Sequence, residues 1–231
     1  MFDLSPAEWE AVRLSLKVGL WSTLLSLPPG FFLAYVLARF QFPLKSLLSG
    51  LIYLPLVLPP VVTGFILLLL FGTRGPIGQF LEQVFGIVIA FRWTGAALAA
   101  AVMGLPLMVR AMRLSIEAVD TRFELAARTL GAGWWRTFFT VTLPLSLPGV
   151  IAGAVLSFAK SFGEFGATIT FVSNIPGETQ TLPIAIYSFL QSPGGEGPAI
   201  RLAILSIVVS MVAIIGSEWL ERRVVTRVRP T

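Results

Sequence analysis

Lys160 and Glu164 stand one helical turn apart in a stretch that is otherwise almost free of charge. An ionisable side chain in apolar surroundings is costly to desolvate, which makes it a candidate for function. The same i, i+4 spacing lets the two neutralise each other, so a structural role stands beside the functional one. Ser157, Ser161, Thr168, Thr170, Ser173 and Asn174 lie around them. Hydroxyls and backbone N–H groups are hydrogen-bonding groups that can line a polar path through apolar surroundings. These positions, with Lys160 and Glu164, are candidates to line a polar passage. Each hydroxyl taken singly suits helix packing equally well.

Catalysis has little to work with. The chain contains no Cys and no His, so thiolate nucleophiles, Cys-ligated metals and the usual acid/base group near neutral pH are all missing. No catalytic residue and no metal site are expected. Ser157 or Ser161 with Lys160 is the one loose enzyme-like option, and neighbours such as Lys160 and Ser161 do not face each other on a helix. No Gly-x-x-x-x-Gly-Lys-Ser/Thr loop for a nucleotide is present.

The elements that must position these residues follow from composition. Of 231 residues, 55% are hydrophobic and 13% charged, with a mean hydropathy of +0.84. Soluble chains carry about 25% charged residues, so this one lacks the polar surface to face water all round. It reads as an all-α integral membrane protein. At about 20 apolar residues per crossing, its length allows five or six spans and no separate soluble domain. The expected spans are 11–38, 46–72, 88–112, 138–165 and 199–220, within a single transmembrane domain covering residues 1–231. Five is the count, with six as the alternative. The uncharged stretches 165–177 and 179–195 are interrupted by Pro and Gly, and read as extensions or shallow re-entrant pieces. The first ten residues carry Asp3, Glu8 and Glu10 in place of a basic n-region, so no secretory signal is expected there.

Lys and Arg concentrate in cytoplasmic loops. With the N-terminus outside, the inner segments hold Arg39, Lys45, Arg110, Arg113, Arg122, Arg128, Arg136, Arg222, Arg223, Arg227 and Arg229. The outer side keeps only Arg13, Lys17, Arg74, Arg92, Lys160 and Arg201. The balance favours an outside N-terminus and an inside C-terminus.

Proline and glycine are frequent inside the spans: Pro28, Pro29 and Gly30 in the first, Pro55, Pro59, Pro60 and Gly64 in the second, Gly104 and Pro106 in the third. Each Pro removes a backbone hydrogen bond and kinks its helix, and lipid cannot satisfy the groups released. Such breaks either shape packing or line a pathway that flexes. Gly149, Gly153, Ser157 and Ser161 recur every four residues and form one ridge of small side chains. The ridge suits close helix packing within a subunit, a symmetric contact or a pore wall.

The polar loop 113–137 carries the most specific pattern. Thr121 and Glu124 have the spacing of a capping box. A short helix then runs to Leu130, with Gly131 placed to end it in the left-handed conformation. Phe123, Ala126, Ala127 and Leu130 make one narrow apolar face, with Glu124 and Arg128 as an i, i+4 pair on the other side. The helix is shaped to enter a groove in a partner. Lying on the bilayer is the alternative, to which Trp134, Trp135, Phe138 and Phe139 contribute.

Ala126-Ala127, three residues, Gly131, nine residues, then Val141-Thr142-Leu143-Pro144 resembles the EAA loop of binding-protein-dependent ABC importer permeases. The family's Glu position is Leu125 here, with Glu124 one place earlier, and its Ile position is Val141. The segments 54–62, 126–133 and 161–179 further resemble the molybdate permease family, whose nearest kin are sulfate and thiosulfate permeases. The likeness runs from about Trp9 to Leu220. It implies a MetI-like fold with a cytoplasmic coupling helix, whose contact set is Thr121, Phe123, Glu124, Ala126, Ala127, Arg128, Leu130, Gly131, Gly133 and Pro144.

The resemblance further implies a homodimer, a cytoplasmic ATPase dimer that holds ATP and Mg, and an external molybdate-binding protein. No cofactor is expected on this chain, membrane lipid is expected around it and nucleic acid is not. Molybdate is the expected cargo, with tungstate chemically close and sulfate the alternative. An ion-driven secondary transporter is the rival of a different class. It would show internal repeat symmetry and a buried coupling carboxylate, for which Glu164 is the lone candidate.

Overall fold

The computed structural model describes residues 4–228, so Asp3 and Arg229 lie outside the described residues. All regular structure among these residues is helical. Helix α1 (Pro6–Arg39) starts with a capping box: the Ser5 hydroxyl accepts from the Glu8 N–H and the Glu8 carboxylate accepts from the Ser5 N–H. Then come α2 (Lys45–Val57), α3 (Pro60–Phe71), α4 (Pro76–Phe85) and α5 (Trp93–Glu117). The loop helix α6 (Thr121–Thr129) leads through α7 (Trp134–Thr137) and a π turn (Phe138–Thr142) into α8 (Leu143–Phe162). Short helices α9 (Gly166–Val172) and α10 (Leu182–Leu190) precede α11 (Glu196–Val228). Among the described residues four helical stretches are long and apolar enough to cross a membrane, or five if the bent pair α2–α3 counts as one broken span.

Three departures from the sequence-based expectation have local causes. The stretch 46–72 is two helices, bent by 114° at Leu58-Pro59. A residue before proline is driven out of the α region, and here Leu58 (ψ 145°) and Pro59 (ψ 132°) both precede one. Helix α5 continues to Glu117, so Arg113 belongs to it and not to the loop. The fourth crossing opens on the π turn because Pro144 lacks an N–H and its ring would strike the Thr140 carbonyl; the Leu143 N–H instead reaches back to the Phe138 carbonyl. Helix α4 was not anticipated from the sequence, its ten residues being too short and too mixed in pattern to stand out.

Helices α1 and α5 run parallel. Leu14 and Val18 near the start of α1 share a core with Ala96, Ala100 and Phe171, while Ala34 and Leu37 near its end pack with Met108, Met112 and Ile116. Helix α8 lies antiparallel to α5, with its small-residue ridge as the contact. Gly149 closes on Ser115, a Cβ on Gly153 would lie 2.9 Å from the Met108 carbonyl oxygen, and the Ser161 hydroxyl donates to the Ala100 carbonyl at 3.1 Å. The ridge therefore packs within the subunit. Arg201 in α11 donates to the buried Glu8 carboxylate at 2.9 Å, so the starts of α1 and α11 share one end of the molecule. The loop carrying α6 sits at the opposite end.

Candidate functional sites: the loop helix and the Lys160–Glu164 turn

No residue of the loop helix is buried. Its N-cap is Asp120, whose carboxylate accepts from the Arg122 N–H at 2.9 Å. Thr121 is thus the first helical residue, and the expected Thr121–Glu124 capping box does not form. Asp outranks Thr as a cap, and Glu124 is drawn elsewhere. The expected Glu124–Arg128 pair is absent for the same reason. Glu124 Oε1 accepts from Arg39 Nη2 at 2.8 Å and from the Thr142 hydroxyl at 2.9 Å, while Arg39 Nη2 also donates to the Val119 carbonyl at 3.0 Å.

The C-terminus of α6 follows expectation. Gly131 takes φ +84°, the Ala132 N–H bonds the Ala127 carbonyl at 3.0 Å, and the Gly131 N–H bonds the Arg128 carbonyl at 3.0 Å. This is the paired Schellman closure, which needs a left-handed residue at that position. Phe123, Leu125 and Leu130 are 58%, 60% and 89% exposed, and Ala126 is exposed beside them. Exposed apolar side chains clustered in this way make the helix a candidate interaction surface. Downstream, Trp134 stacks on Phe138 at 5.6 Å, and Tyr35 of α1 meets both edge-on at 6.2 and 5.5 Å. These aromatic contacts tie the segment after Gly133 to α1. Pro144 lies just inside α8 and acts on the π turn, away from the exposed face.

At the other candidate site, α8 ends at Phe162, and Glu164 occupies the turn into α9. The expected pair is formed: Lys160 Nζ lies 2.6 Å from Glu164 Oε2, and Glu164 Oε1 accepts from the Ala167 N–H at 3.0 Å. Lys160 keeps 30% of its side chain exposed and Glu164 only 2%. Ser157, Ser161 and Thr168 are buried, with the Ser157 hydroxyl unpartnered against Gly104. The Thr170 hydroxyl donates to the Gly166 carbonyl at 2.8 Å. Ser173 adopts φ +64°, and Asn174 sits exposed between Ser188 and Gln180, at 2.8 and 3.0 Å. The structure thus brings Lys160, Glu164 and the start of α9 together. It seats Ser157 and Ser161 in the α5 interface and leaves Ser173 and Asn174 in a surface turn. No group of His, Cys, Asp or Glu suited to a metal ion occurs among the described residues.

The loop helix thus presents exposed apolar residues between two long apolar helices. The family described as binding-protein-dependent transport system inner membrane component matches residues 27–226. The chain belongs to that family. The permease is 61% identical to the molybdenum transport system permease protein ModB of Escherichia coli (strain K12), over 95% of this chain and 96% of that one. It is 57% identical to the ModB protein of Haemophilus influenzae, over 94% of each. A bacterial ABC transporter involved in the import of the polysaccharide alginate shares its fold, with a TM-score of 0.75 at 16% identity over 95% of this permease and 80% of that chain.

Sequence reasoning missed three residues of the permease's loop site: Arg39, Asp120 and Thr142. Asp120, immediately before Thr121, was legible as a better cap. Arg39 lies 85 residues from Glu124, and no local pattern connects them.

Proposed function

We propose that this permease carries molybdate into the cell as a homodimer, working by alternating access under the drive of separate ATPase subunits. The 61% identity to the E. coli molybdenum permease across nearly the whole chain supports the choice of cargo. Tungstate has the same charge and tetrahedral form, so the same path accepts it. The Arg-rich end carrying α6 faces the cytoplasm under the positive-inside rule, which puts the N-terminus outside and the C-terminus inside.

The exposed face of α6, from Thr121 through Phe123, Ala126, Ala127, Arg128 and Leu130 to Gly131 and Gly133, enters a cleft on the ATPase. ATP and Mg stay on that partner. Nucleotide binding draws the two α6 helices of the dimer together and opens the path outward. An external binding protein delivers the anion, and hydrolysis restores the inward-facing state. Lipid covers the remaining apolar flanks. Of the path candidates, the accessible Lys160, Thr170, Ser173 and Asn174 touch the anion, while Ser157, Ser161, Glu164 and Thr168 hold the helices that present them. Hydroxyls, an amide and one half-paired ammonium slow a dianion without trapping it.

The test is uptake of labelled molybdate by proteoliposomes holding the permease, ATPase and binding protein. ATP-dependent uptake that tungstate suppresses, and a large excess of sulfate does not, is expected. Equal suppression by sulfate would reassign the cargo. Flux through the permease alone without ATP would overturn the scheme.

A further inference from the structure

We infer that Arg39, Glu124 and Thr142 form a brace that converts displacement of α6 into movement of the first and fourth crossings. This rests on the reading of α6 as the ATPase-coupled helix. One carboxylate oxygen, Glu124 Oε1, takes both the Arg39 guanidinium at the end of α1 and the Thr142 hydroxyl at the entry to α8. The same Arg39 nitrogen holds the Val119 carbonyl just before α6. Arg39 and Glu124 are each only 13% exposed although α6 has no buried residue, so Glu124 faces the bundle and not the partner side. A charge-assisted bond of 2.8 Å in that setting is stiff, and two such links from one atom leave α6 little freedom to move alone.

The exposed apolar residues and the brace therefore have separate jobs. Phe123, Leu125 and Leu130 receive the push, and Glu124 hands it on. The π turn between α7 and α8 is the compliant point on the Thr142 side, since its wide hydrogen-bond ring is weaker than an α-helical turn. Arg39, Glu124 and Thr142 are positioning residues: they touch neither nucleotide nor cargo.

The experiment measures molybdate uptake and ATP hydrolysis on the same proteoliposomes holding the complete complex, with co-purification of the ATPase as a third reading. Thr142→Val is nearly isosteric and removes only the hydroxyl link; Thr142→Ser restores it. Thr142→Val is expected to lower uptake per ATP hydrolysed by roughly threefold or more, the size of change a coupling residue commands, and Thr142→Ser to stay near the unsubstituted ratio. Arg39→Gln is expected to lower the ratio further, with the ATPase still bound. Combining the two should cost less than the product of the separate losses, because they act through one carboxylate. An unchanged ratio in both Thr142→Val and Arg39→Gln overturns the brace. Release of the ATPase by Glu124→Gln also overturns it, since the carboxylate would then belong to the partner contact. Full ATPase binding by Leu130→Asp would instead sink the underlying reading of α6.

Discussion

Gly131 closes α6 at φ +84°, a left-handed conformation that L side chains rarely adopt even though the space around it is open. Placing an L-residue there costs about 1–2 kcal/mol. Gly131→Val should fray the last turn of α6, disperse the Phe123–Leu130 face and reduce ATPase co-purification, while thermal melting of the isolated permease barely moves. A large drop in melting temperature with normal co-purification would contradict this. Lys160 allows a second prediction, on the path. Lys160→Met removes the one accessible cation of the turn and leaves Glu164 buried with only the Ala167 N–H. Molybdate uptake should fall while ATP hydrolysis persists, read in the same vesicles. At this scale the sequence was informative wherever a contact is local: Gly131 and the Lys160–Glu164 pair could be named from spacing alone. The partners of Glu124 could not. Thr142 is 18 residues away and Arg39 is 85 residues away, so only the folded chain chooses them over Arg128.

At the scale of elements, two contacts are held by the absence of a side chain. A Cβ on Gly153 of α8 would press on the Met108 carbonyl of α5, and one on Gly64 of α3 would reach within 2.5 Å of the Ala167 carbonyl in α9. Neither neighbour can give way, because both are backbone. Gly153→Leu should destabilise the permease by about 1–3 kcal/mol, the usual range for overpacking, seen as a lower melting temperature in detergent. Gly64→Leu should separate α3 from α9. The four-residue ridge was readable from sequence as a packing surface, and its partner was not, since α1 and α5 were equally available. The break at Pro59-Pro60 was readable as a kink; its size was not, because α9 fixes it through Gly64 and Gly166.

For the whole molecule, parallel α1, α5 and α11 with antiparallel α8 require an odd number of crossings between the Glu8–Arg201 end and the Arg39–Glu124 end. The chain has no native Cys, so single cysteines report sidedness directly. A Cys at Leu130 should react with a membrane-impermeant maleimide only from the cytoplasmic side, and one at Ser192 only from outside. The opposite pattern would invert the topology. Composition made the membrane class legible, while the short helices α9 and α10 depend on tertiary cover that no local pattern shows. The bent pair α2–α3 has a consequence for how the chain is made. At 1.5 Å per residue, limbs of 13 and 12 residues reach about 20 Å each, short of a bilayer core of about 30 Å. The elbow has no shelter until the ribosome has produced Gly166 and the remainder of α9. A nascent chain stopped before that point should hold this segment kinked at Pro59-Pro60 but less sharply than 114°, and site-specific crosslinks from Gly64 should find lipid first and protein only after α9 emerges.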